Sequence, residues 1–385
     1  MRRNYKYMLK VSAEQAQTID EWSESLRLLY NFSLAERREA FKQDRKLTYY
    51  DQCKTLKETK KQFPRYKEVN AQALQQCLGQ LDKAFLSFFK KKSRYPRFKA
   101  HDRAPSICFP QGTSIDGSFM KFSKLGKIRV KLHRPIPDGA VIKQSRIVKE
   151  VDRYYVVLSI ELADPTWSVP PVNVVGCDVG VKHLATLSDG TVIDGEQPLK
   201  GSFARLARAQ QKLSKKKTGS NNKKKQKVRV QKVYRKITNQ RSDFLHKVTA
   251  KLADSYDAIV FEKMNLGFIN QDTDKRYMMS RKSYDIGIGT FRKFCEYKFA
   301  ERGKSVFHVN PKNTTKECSQ CHRLVPKKRG DRIHDCPFCG FKMDRDLNAS
   351  INILERVSLG QELPDSKPVE SDVSVPAFAG VSVAH

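Results

Sequence analysis

The sequence predicts a multidomain α/β protein, in which an N-terminal β-barrel with an inserted helical bundle precedes a second α/β core with an inserted zinc ribbon. Three observations support this prediction. Helical periodicity over residues 13–92 is followed by short β-rich runs over 106–162. Strand-like apolar runs then alternate with charged helical segments, and two Cys-x₂-Cys pairs follow late in the chain. The chain has 385 residues, which is enough for two or more separate cores.

The charge balance indicates a polyanionic partner. Lys plus Arg is 74 and Asp plus Glu is 41, so the formal net charge is 74 − 41 = +33. Such a surface is typical of proteins that bind nucleic acid, and a ribosomal-type or merely basic protein would share it. No run approaches ~20 apolar residues, so we expect no membrane span. The N-terminus lacks an apolar signal core, and five of the nine cysteines are scattered as in reduced cytoplasmic proteins.

The N-terminal lobe, residues 1–165, is predicted to bind nucleic acid. An alternating run over 5–11 and the later β-rich runs lie on either side of the helical segment. We therefore assign the β-barrel to residues 1–12 and 104–165, and the helical bundle to residues 13–103.

Capping patterns mark the helices of the bundle. Ser12 with Gln15 resembles a capping box, and Thr48 with Asp51 indicates a second helix that should end before Pro64. A third helix is predicted from apolar residues at helical spacing: Leu74, Leu78, Leu81, Phe85 and Phe88.

The end of the bundle interleaves cations with aromatic residues, a pattern that can bind phosphates and stack on bases. The residues concerned are Lys90, Lys91, Arg94, Tyr95, Arg97, Phe98 and Lys99. A solvated helix end followed by a proline turn explains the same pattern, and the local sequence favours neither interpretation.

A second core is predicted over residues 172–310 and 342–358. One strand ends at Asp178, a hairpin adds two strands, charged helices follow, and a further strand ends at Glu262. This β-β-β-α-β order with acidic strand ends matches an RNase H-like fold. The irregular segments are a linker at Pro165, Pro170 and Pro171, a flexible stretch at 270–288 and a disordered tail at 361–385.

Two charged helices, over residues 202–216 and 223–254, are predicted to form an α-hairpin in this core. The tip is densely cationic, with Lys215, Lys216, Lys217, Lys223, Lys224 and Lys225. Such runs are usually solvated faces. Because this one accompanies acidic strand ends, we favour contact with phosphates.

Three acidic residues are the candidate catalytic group: Asp178, Glu262 and Asp346. The first two end strands, and Asp346 begins a helical pattern after the cysteines. Each alone is weak support, and Asp344 competes for the third place. Together they are the oxygen ligands that Mg²⁺ or Mn²⁺ prefers, and two such ions activate water and stabilise the leaving oxygen of a phosphodiester. Asn348 and Asn352 are interpreted as local caps or supporting groups.

Four cysteines, Cys318, Cys321, Cys336 and Cys339, have the spacing of a Cys₄ zinc ribbon, which we assign to residues 311–341. Two disulfides or redox-active pairs are the alternatives, and His322 or His334 could replace a thiolate. A closed Cys₄ site has no open position for water, so we expect it to be structural and to hold the segment that bears Asp346.

Taken with these residues, the chain resembles the TnpB family of transposon-encoded RNA-guided DNA endonucleases over about residues 1–355. The resemblance depends on several motifs in order: an opening Tyr-Lys-x-Met-Leu, Leu29-Tyr30-Asn31, Leu81-Asp82-Lys83-Ala84-Phe85, Tyr95-Pro96-Arg97-Phe98-Lys99, Gly176-x-Asp178-x-Gly180, Phe261-Glu262, Thr314-Thr315-Lys316-x-Cys318, and Asp344-Arg345-Asp346-x-Asn348-Ala349. His322 departs from a usual glycine, and Ser350 departs from a common alanine.

The resemblance implies that the three acids are the catalytic and magnesium-binding carboxylates of a RuvC nuclease domain. It implies that the N-terminal lobe binds a guide RNA and a short transposon-adjacent motif of double-stranded target DNA, while base pairing supplies specificity. The expected cofactors are Mg²⁺ or Mn²⁺, structural Zn²⁺ and guide RNA. A prokaryotic, nucleoid-associated location is expected, and the transposase of the same element is a candidate partner. The alternative is a regulator of transposition that binds without cleaving, and a guide-independent transposase is a weaker third possibility.

Overall fold

The computed structural model describes residues 1–163, 171–180, 182–195, 200–263, 287–328 and 330–358. A boundary between residues 164 and 165 separates two compact units. Pro165 and Pro170 of the predicted linker, most of the predicted flexible stretch and the predicted tail lie outside the described residues.

The first unit contains a seven-stranded antiparallel sheet. Its strands are β1 (Arg2–Lys10), β2 (Ile107–Phe109), β3 (Thr113–Asp116), β4 (Phe119–Phe122), β5 (Gly126–Lys131), β6 (Val141–Glu150) and β7 (Arg153–Glu161), in the order β2-β6-β7-β1-β5-β4-β3. Alternate residues of β1 are buried, which gives the sheet one apolar face. Because β2 and β3 are the two ends of the strand order, closure into a barrel stays a prediction.

Four helices are inserted between β1 and β2 and share an apolar core with the sheet. They are α1 (Ala13–Lys42), α2 (Tyr49–Gln62), α3 (Arg65–Glu68) and α4 (Ala71–Phe89). The capping box predicted at Ser12 is present, and the helix start predicted at Thr48 also forms a capping box with Asp51. The helix α2 ends before Pro64 as predicted, whereas the single turn of α3 was not anticipated.

The second unit has a five-stranded mixed sheet. Its strands are β8 (Val174–Asp178), β9 (Ala185–Leu187), β10 (Val192–Ile193), β11 (Ala258–Glu262) and β12 (Ser305–Val309), in the order β10-β9-β8-β11-β12. The strands β8, β11 and β12 run parallel, and β9 and β10 extend the sheet as an antiparallel hairpin. The β-β-β-α-β order predicted from the sequence is confirmed.

Helices and a small ribbon complete the second unit. They are α5 (Lys200–Ser214), α6 (Asn221–Ser255), α7 (Ile288–Glu301), α8 (Arg345–Ser358), and the ribbon strands β13 (Ile333–Asp335) and β14 (Lys342–Asp344). The predicted α-hairpin is formed by α5 and α6, which bury Leu206, Val230 and Ile237 between them. Of the helices that the structure describes, none has the length and apolar character to cross a membrane.

Candidate active site and zinc ribbon

Two of the predicted carboxylates end neighbouring parallel strands. In the register of β8 and β11, Cys177 lies opposite Phe261, and Asp178 and Glu262 each follow by one residue. Adjacent strands lie about 4.8 Å apart, so both side chains start from the same edge of the sheet. The two strands are apolar up to these positions, which buries the strands and leaves the acids at their ends.

The third carboxylate, Asp346, lies in the first turn of α8, which packs directly on β8. The contact is between backbones: a Cβ atom at Gly176 would lie 2.1 Å from the carbonyl oxygen of Ser350 and 2.9 Å from Cβ of Leu354. Only glycine permits this approach. Because Gly176 precedes Asp178 by two residues, the same contact brings the start of α8 towards the strand end.

The pKa of Asp178 is affected by the other two acids. Burial raises the pKa of Asp178 well above its usual range, and the negative charges of Glu262 and Asp346 raise it further, while Arg345 opposes the change. Burial also raises the pKa of Glu262. A buried carboxylate that is influenced by two further carboxylates belongs to a donor set suited to a hard divalent cation.

Neighbouring side chains hold two of the acids in place. The hydroxyl of Thr314 donates a hydrogen bond to Oε1 of Glu262, which opposes the rise in the pKa of that carboxyl. Arg345 donates to Oδ1 of Asp346 through Nη2 at 2.8 Å and Nε at 3.0 Å. Arg332 adds a longer ion pair to the same residue at 3.6 Å.

Asp344, the competitor of Asp346 in the sequence, has another role. Its Oδ1 accepts hydrogen bonds from the backbone N–H groups of Asp346 at 2.8 Å and Leu347 at 3.1 Å. It therefore caps the N-terminus of α8. This favours Asp346 as the third carboxylate of the candidate catalytic group.

Two buried asparagines join α8 to the first residues of the ribbon segment. The side chain of Asn348 accepts from the N–H of Ser319 at 3.1 Å and donates to the carbonyl of Glu317 at 2.8 Å. Asn352 donates to the carbonyls of Thr314 and Glu317, each at 2.8 Å. They are supporting groups, as predicted, but they bind a distant segment rather than capping their own helix.

The four cysteines form a cluster with the dimensions of a zinc site. Their sulfur atoms all lie within 4.8 Å of one another. The Sγ atoms of Cys318 and Cys339 are 3.7 Å apart, and those of Cys321 and Cys336 are 3.6 Å apart. A tetrahedron with Zn–S bonds of about 2.3 Å has edges of about 3.8 Å. All four are free thiols, so the two-disulfide alternative is not supported.

Each Cys-x₂-Cys pair forms the same turn. The residue after the second cysteine has a left-handed backbone, with φ of 58° at His322 and 72° at Gly340. Each donates its N–H to the carbonyl of the first cysteine of its pair, at 2.8 and 2.9 Å. The second pair thus has a glycine at this left-handed position, whereas the first pair has a residue with a side chain, His322. His322 is not in the cluster, and its Nδ1 lies 3.8 Å from Glu317.

Several residues of this site were missed by the sequence analysis. Thr314 and Arg345 lie in two of the sequence motifs on which the family resemblance depends, so these motifs could have indicated both residues. Arg292 had no such signal: it is buried on α7, its guanidinium lies 5.5 Å from the ring of Phe261, and its Nη2 is 3.0 Å from Nδ1 of His308.

The predicted basic contacts lie outside this cluster. In the first unit, Lys90, Lys91, Arg94, Tyr95, Arg97 and Phe98 are exposed. Lys99 differs: it is half-buried, with Nζ 4.6 Å from the ring centre of Tyr30, and burial lowers its pKa. At the hairpin tip five of the six lysines are exposed, whereas Lys223 donates to Thr218 at 2.9 Å. These contacts with nucleic acid stay predictions.

Three family models match the chain. A model described as a probable transposase matches residues 157–271, a Cas12f1-like TNB domain matches 289–353, and a helix-turn-helix domain matches 1–46. Over that last range the structure has β1 followed by the single long helix α1.

Relatives of similar length also match. A protein of Streptomyces pristinaespiralis named "Putative RNA-guided DNA endonuclease" is 30% identical over 367 residues, which cover 92% of this chain and 89% of that protein. "Putative RNA-guided DNA endonuclease InsQ" of Escherichia coli is 28% identical over 389 residues and covers 96% of both chains. The fold resembles a chain in a cryo-EM structure of a Cas12f1-sgRNA-target DNA complex, with a TM-score of 0.55, 16% identity, and coverage of 89% of this chain and 83% of the other.

Proposed function

Because the chain belongs to the TnpB family, in which two relatives have names that begin "Putative RNA-guided DNA endonuclease", we propose that it is an RNA-guided DNA endonuclease of a transposable element. In this proposal a guide RNA pairs with target DNA next to a short transposon-associated motif, and one RuvC-like two-metal site cleaves both DNA strands in turn. The proposal is supported by the positions of Asp178 and Glu262 at the ends of adjacent parallel strands and of Asp346 in the first turn of the helix that packs on β8.

These three carboxylates would hold Mg²⁺ or Mn²⁺. When bound, the ions supply an activated water and stabilise the negative charge on the leaving oxygen. The donor set fits this role, because the pKa of Asp178 is raised by burial and by neighbouring negative charge that a cation would neutralise. Thr314 orients Glu262, and Arg345 orients Asp346, so two ligands would be held before metal binds.

The positive surface charge would contribute to nucleic-acid binding, which is separate from cleavage. The net charge of +33 favours binding of RNA and DNA backbones without regard to sequence. We assign this task in part to the exposed lysines of the hairpin tip and to the basic end of the helical bundle. Zn²⁺ would have a structural role in the ribbon, which includes Thr314 and would hold the segment that bears Asp346.

The proposal is tested by substituting one acid at a time in the protein purified with its guide RNA. We expect Asp178→Ala to reduce plasmid cleavage by more than about 100-fold, the scale of losing one electrostatic stabiliser at a reacting centre. Guide RNA binding should not change. Asp243→Ala is the matched control, because this exposed acid on α6 pairs only with Lys247 in the part of the chain that the structure describes.

Cleavage by Asp178→Ala at the wild-type rate would refute the assignment of the carboxylates. A wild-type protein that binds guide RNA and target DNA, but in which Mg²⁺ alters only the migration of the plasmid, would support the non-cleaving regulator.

A further inference from the structure

The loop that follows α4 is held in one conformation by side chains of α1. Asn31 accepts a hydrogen bond from the backbone N–H of Lys99 at 2.8 Å and donates to its carbonyl at 3.0 Å. Arg27 donates to the same carbonyl at 3.1 Å. The ammonium of Lys99 lies against the ring of Tyr30. Residues 93–99 are therefore anchored at their C-terminal end before any ligand binds.

This loop has two aromatic rings, of which Tyr95 packs against other rings and Phe98 is more exposed to solvent. Tyr95 packs edge-on against Phe85 and Phe88, with ring centres 5.6 and 5.2 Å away. Phe98 is 51% exposed, and its described ring contact is with a cation, since the guanidinium of Arg38 lies 5.4 Å from its centre. A large apolar ring held at the surface in this way costs hydration free energy unless a ligand covers it.

The surroundings of Phe98 are positively charged. An open pocket of about 310 Å³ is lined by Arg38, Arg94, Tyr95, Pro96, Arg97 and Phe98. No ion pair to a carboxylate is formed by Arg38, Arg94 or Arg97 within the ranges that the structure describes. Three uncompensated guanidiniums beside two partly exposed rings form a surface that attracts an anion with a planar apolar part.

We propose that this pocket binds one unpaired nucleotide of a single strand. Its base stacks on Phe98, and its flanking phosphates pair with Arg94 and Arg97. A base within a duplex is already stacked on both faces, so the exposed part of the Phe98 ring favours an unstacked base. The proposal rests on the nucleic-acid binding in the proposed function, but it does not depend on cleavage. The nucleotide would come from guide RNA or from a DNA strand, and the test separates these two sources.

The test measures binding of the full-length chain, without divalent metal, to labelled oligouridine and oligothymidine of about twelve nucleotides. We expect Phe98→Ala to weaken binding about 5- to 140-fold, which corresponds to the 1–3 kcal/mol typical of one base–aromatic stack. Phe98→Trp should restore it. Phe41→Ala is the matched control, because Phe41 is an exposed phenylalanine in the same unit.

The charged part of the pocket is tested by salt dependence. Arg94→Ala with Arg97→Ala should reduce the slope of log affinity against log salt by about 1.4, since each single-strand phosphate contact contributes about 0.7. The control is Lys46→Ala with Lys57→Ala, which removes the same charge from exposed positions of this unit. Crosslinking with 5-iodouridine or 5-iododeoxyuridine should map to residues 94–98.

A loss confined to oligouridine assigns the pocket to RNA, and a loss confined to oligothymidine assigns it to DNA. Equal losses mean that it recognises the base and phosphates without the sugar. The proposal is overturned if Phe98→Ala and the double arginine variant lose no more affinity than their controls. If the wild-type protein cleaves no DNA but the Phe98 and arginine variants still lose single-strand affinity, the proposed function is refuted. The proposed nucleotide-binding pocket is then still supported.

Discussion

Replacing Gly176 with alanine should disable the candidate active site without altering any of its carboxylates. The new Cβ would lie 2.1 Å from the carbonyl oxygen of Ser350, whereas ordinary contacts begin at 3.4 Å, so α8 must move away from β8 by about 3.4 − 2.1 = 1.3 Å. Overpacking of this kind costs about 1–3 kcal/mol of stability. A displacement of about 1 Å at a reacting centre can cost about 100-fold in rate.

The assay is plasmid cleavage with guide RNA, together with thermal unfolding of the same samples. We expect Gly176→Ala to lower the rate by about 100-fold and to lower the melting temperature. Gly201→Ala is the control, since among the described residues no atom outside its own helix backbone and chain neighbours lies within 4 Å of the position of its Cβ. Adding Leu354→Ala should not restore activity, because the closest clash is with a backbone oxygen. A Gly176→Ala protein with wild-type cleavage and stability would show that α8 does not position Asp346 through this contact.

Three further predictions concern the same unit. Thr314→Val should reduce cleavage about 10- to 100-fold with guide RNA binding unchanged, because Glu262 loses its donor, while Thr315→Val at the adjacent exposed position should not. Cys336→Ser should abolish stoichiometric zinc, measured by elemental analysis, and should reduce cleavage; full activity without zinc would contradict a structural ribbon. The third prediction concerns pH. The folded-state pKa values of Asp178 and Glu262 are raised above unfolded values of about 3.9 and 4.3, so the stability from their protonated forms is present at low pH and is lost as pH rises through the folded pKa values. Mg²⁺ should therefore raise the melting temperature more at about pH 8 than at about pH 5, and a pH-independent shift would contradict this linkage.

The parts of the fold that depend on nearby residues could be predicted from the sequence. The caps at Ser12 and Thr48 involve residues three positions apart, and the apolar spacing of α4 lies within one helix. The α-hairpin followed from a polar break between two charged helices. Whether the N-terminal sheet closes depends on pairings between distant strands, which local patterns do not specify.

In the candidate site, too, features that depend on nearby residues could be predicted, and features that depend on distant residues could not. The strand-end positions of Asp178 and Glu262 were predicted, because parallel strands end at one edge of a sheet. The bond from Thr314 to Glu262 joins residues 52 positions apart, and no local pattern indicates it. Lys99 appeared in the sequence to be one more phosphate-binding cation, but its backbone is bound by Asn31 and its ammonium is covered by Tyr30.

The α5–α6 hairpin has its own apolar core, formed by Leu206, Val230 and Ile237, apart from the apolar cluster that includes Leu245 and Phe261. The helix α6 has 35 residues, which at 1.5 Å each span about 52 Å. Removing seven residues from each helix would withdraw the cationic tip by about 10 Å and preserve the facing of the helices, since seven residues are close to two turns. The length of the hairpin can therefore be changed without altering the apolar cluster that supports the sheet of the candidate active site.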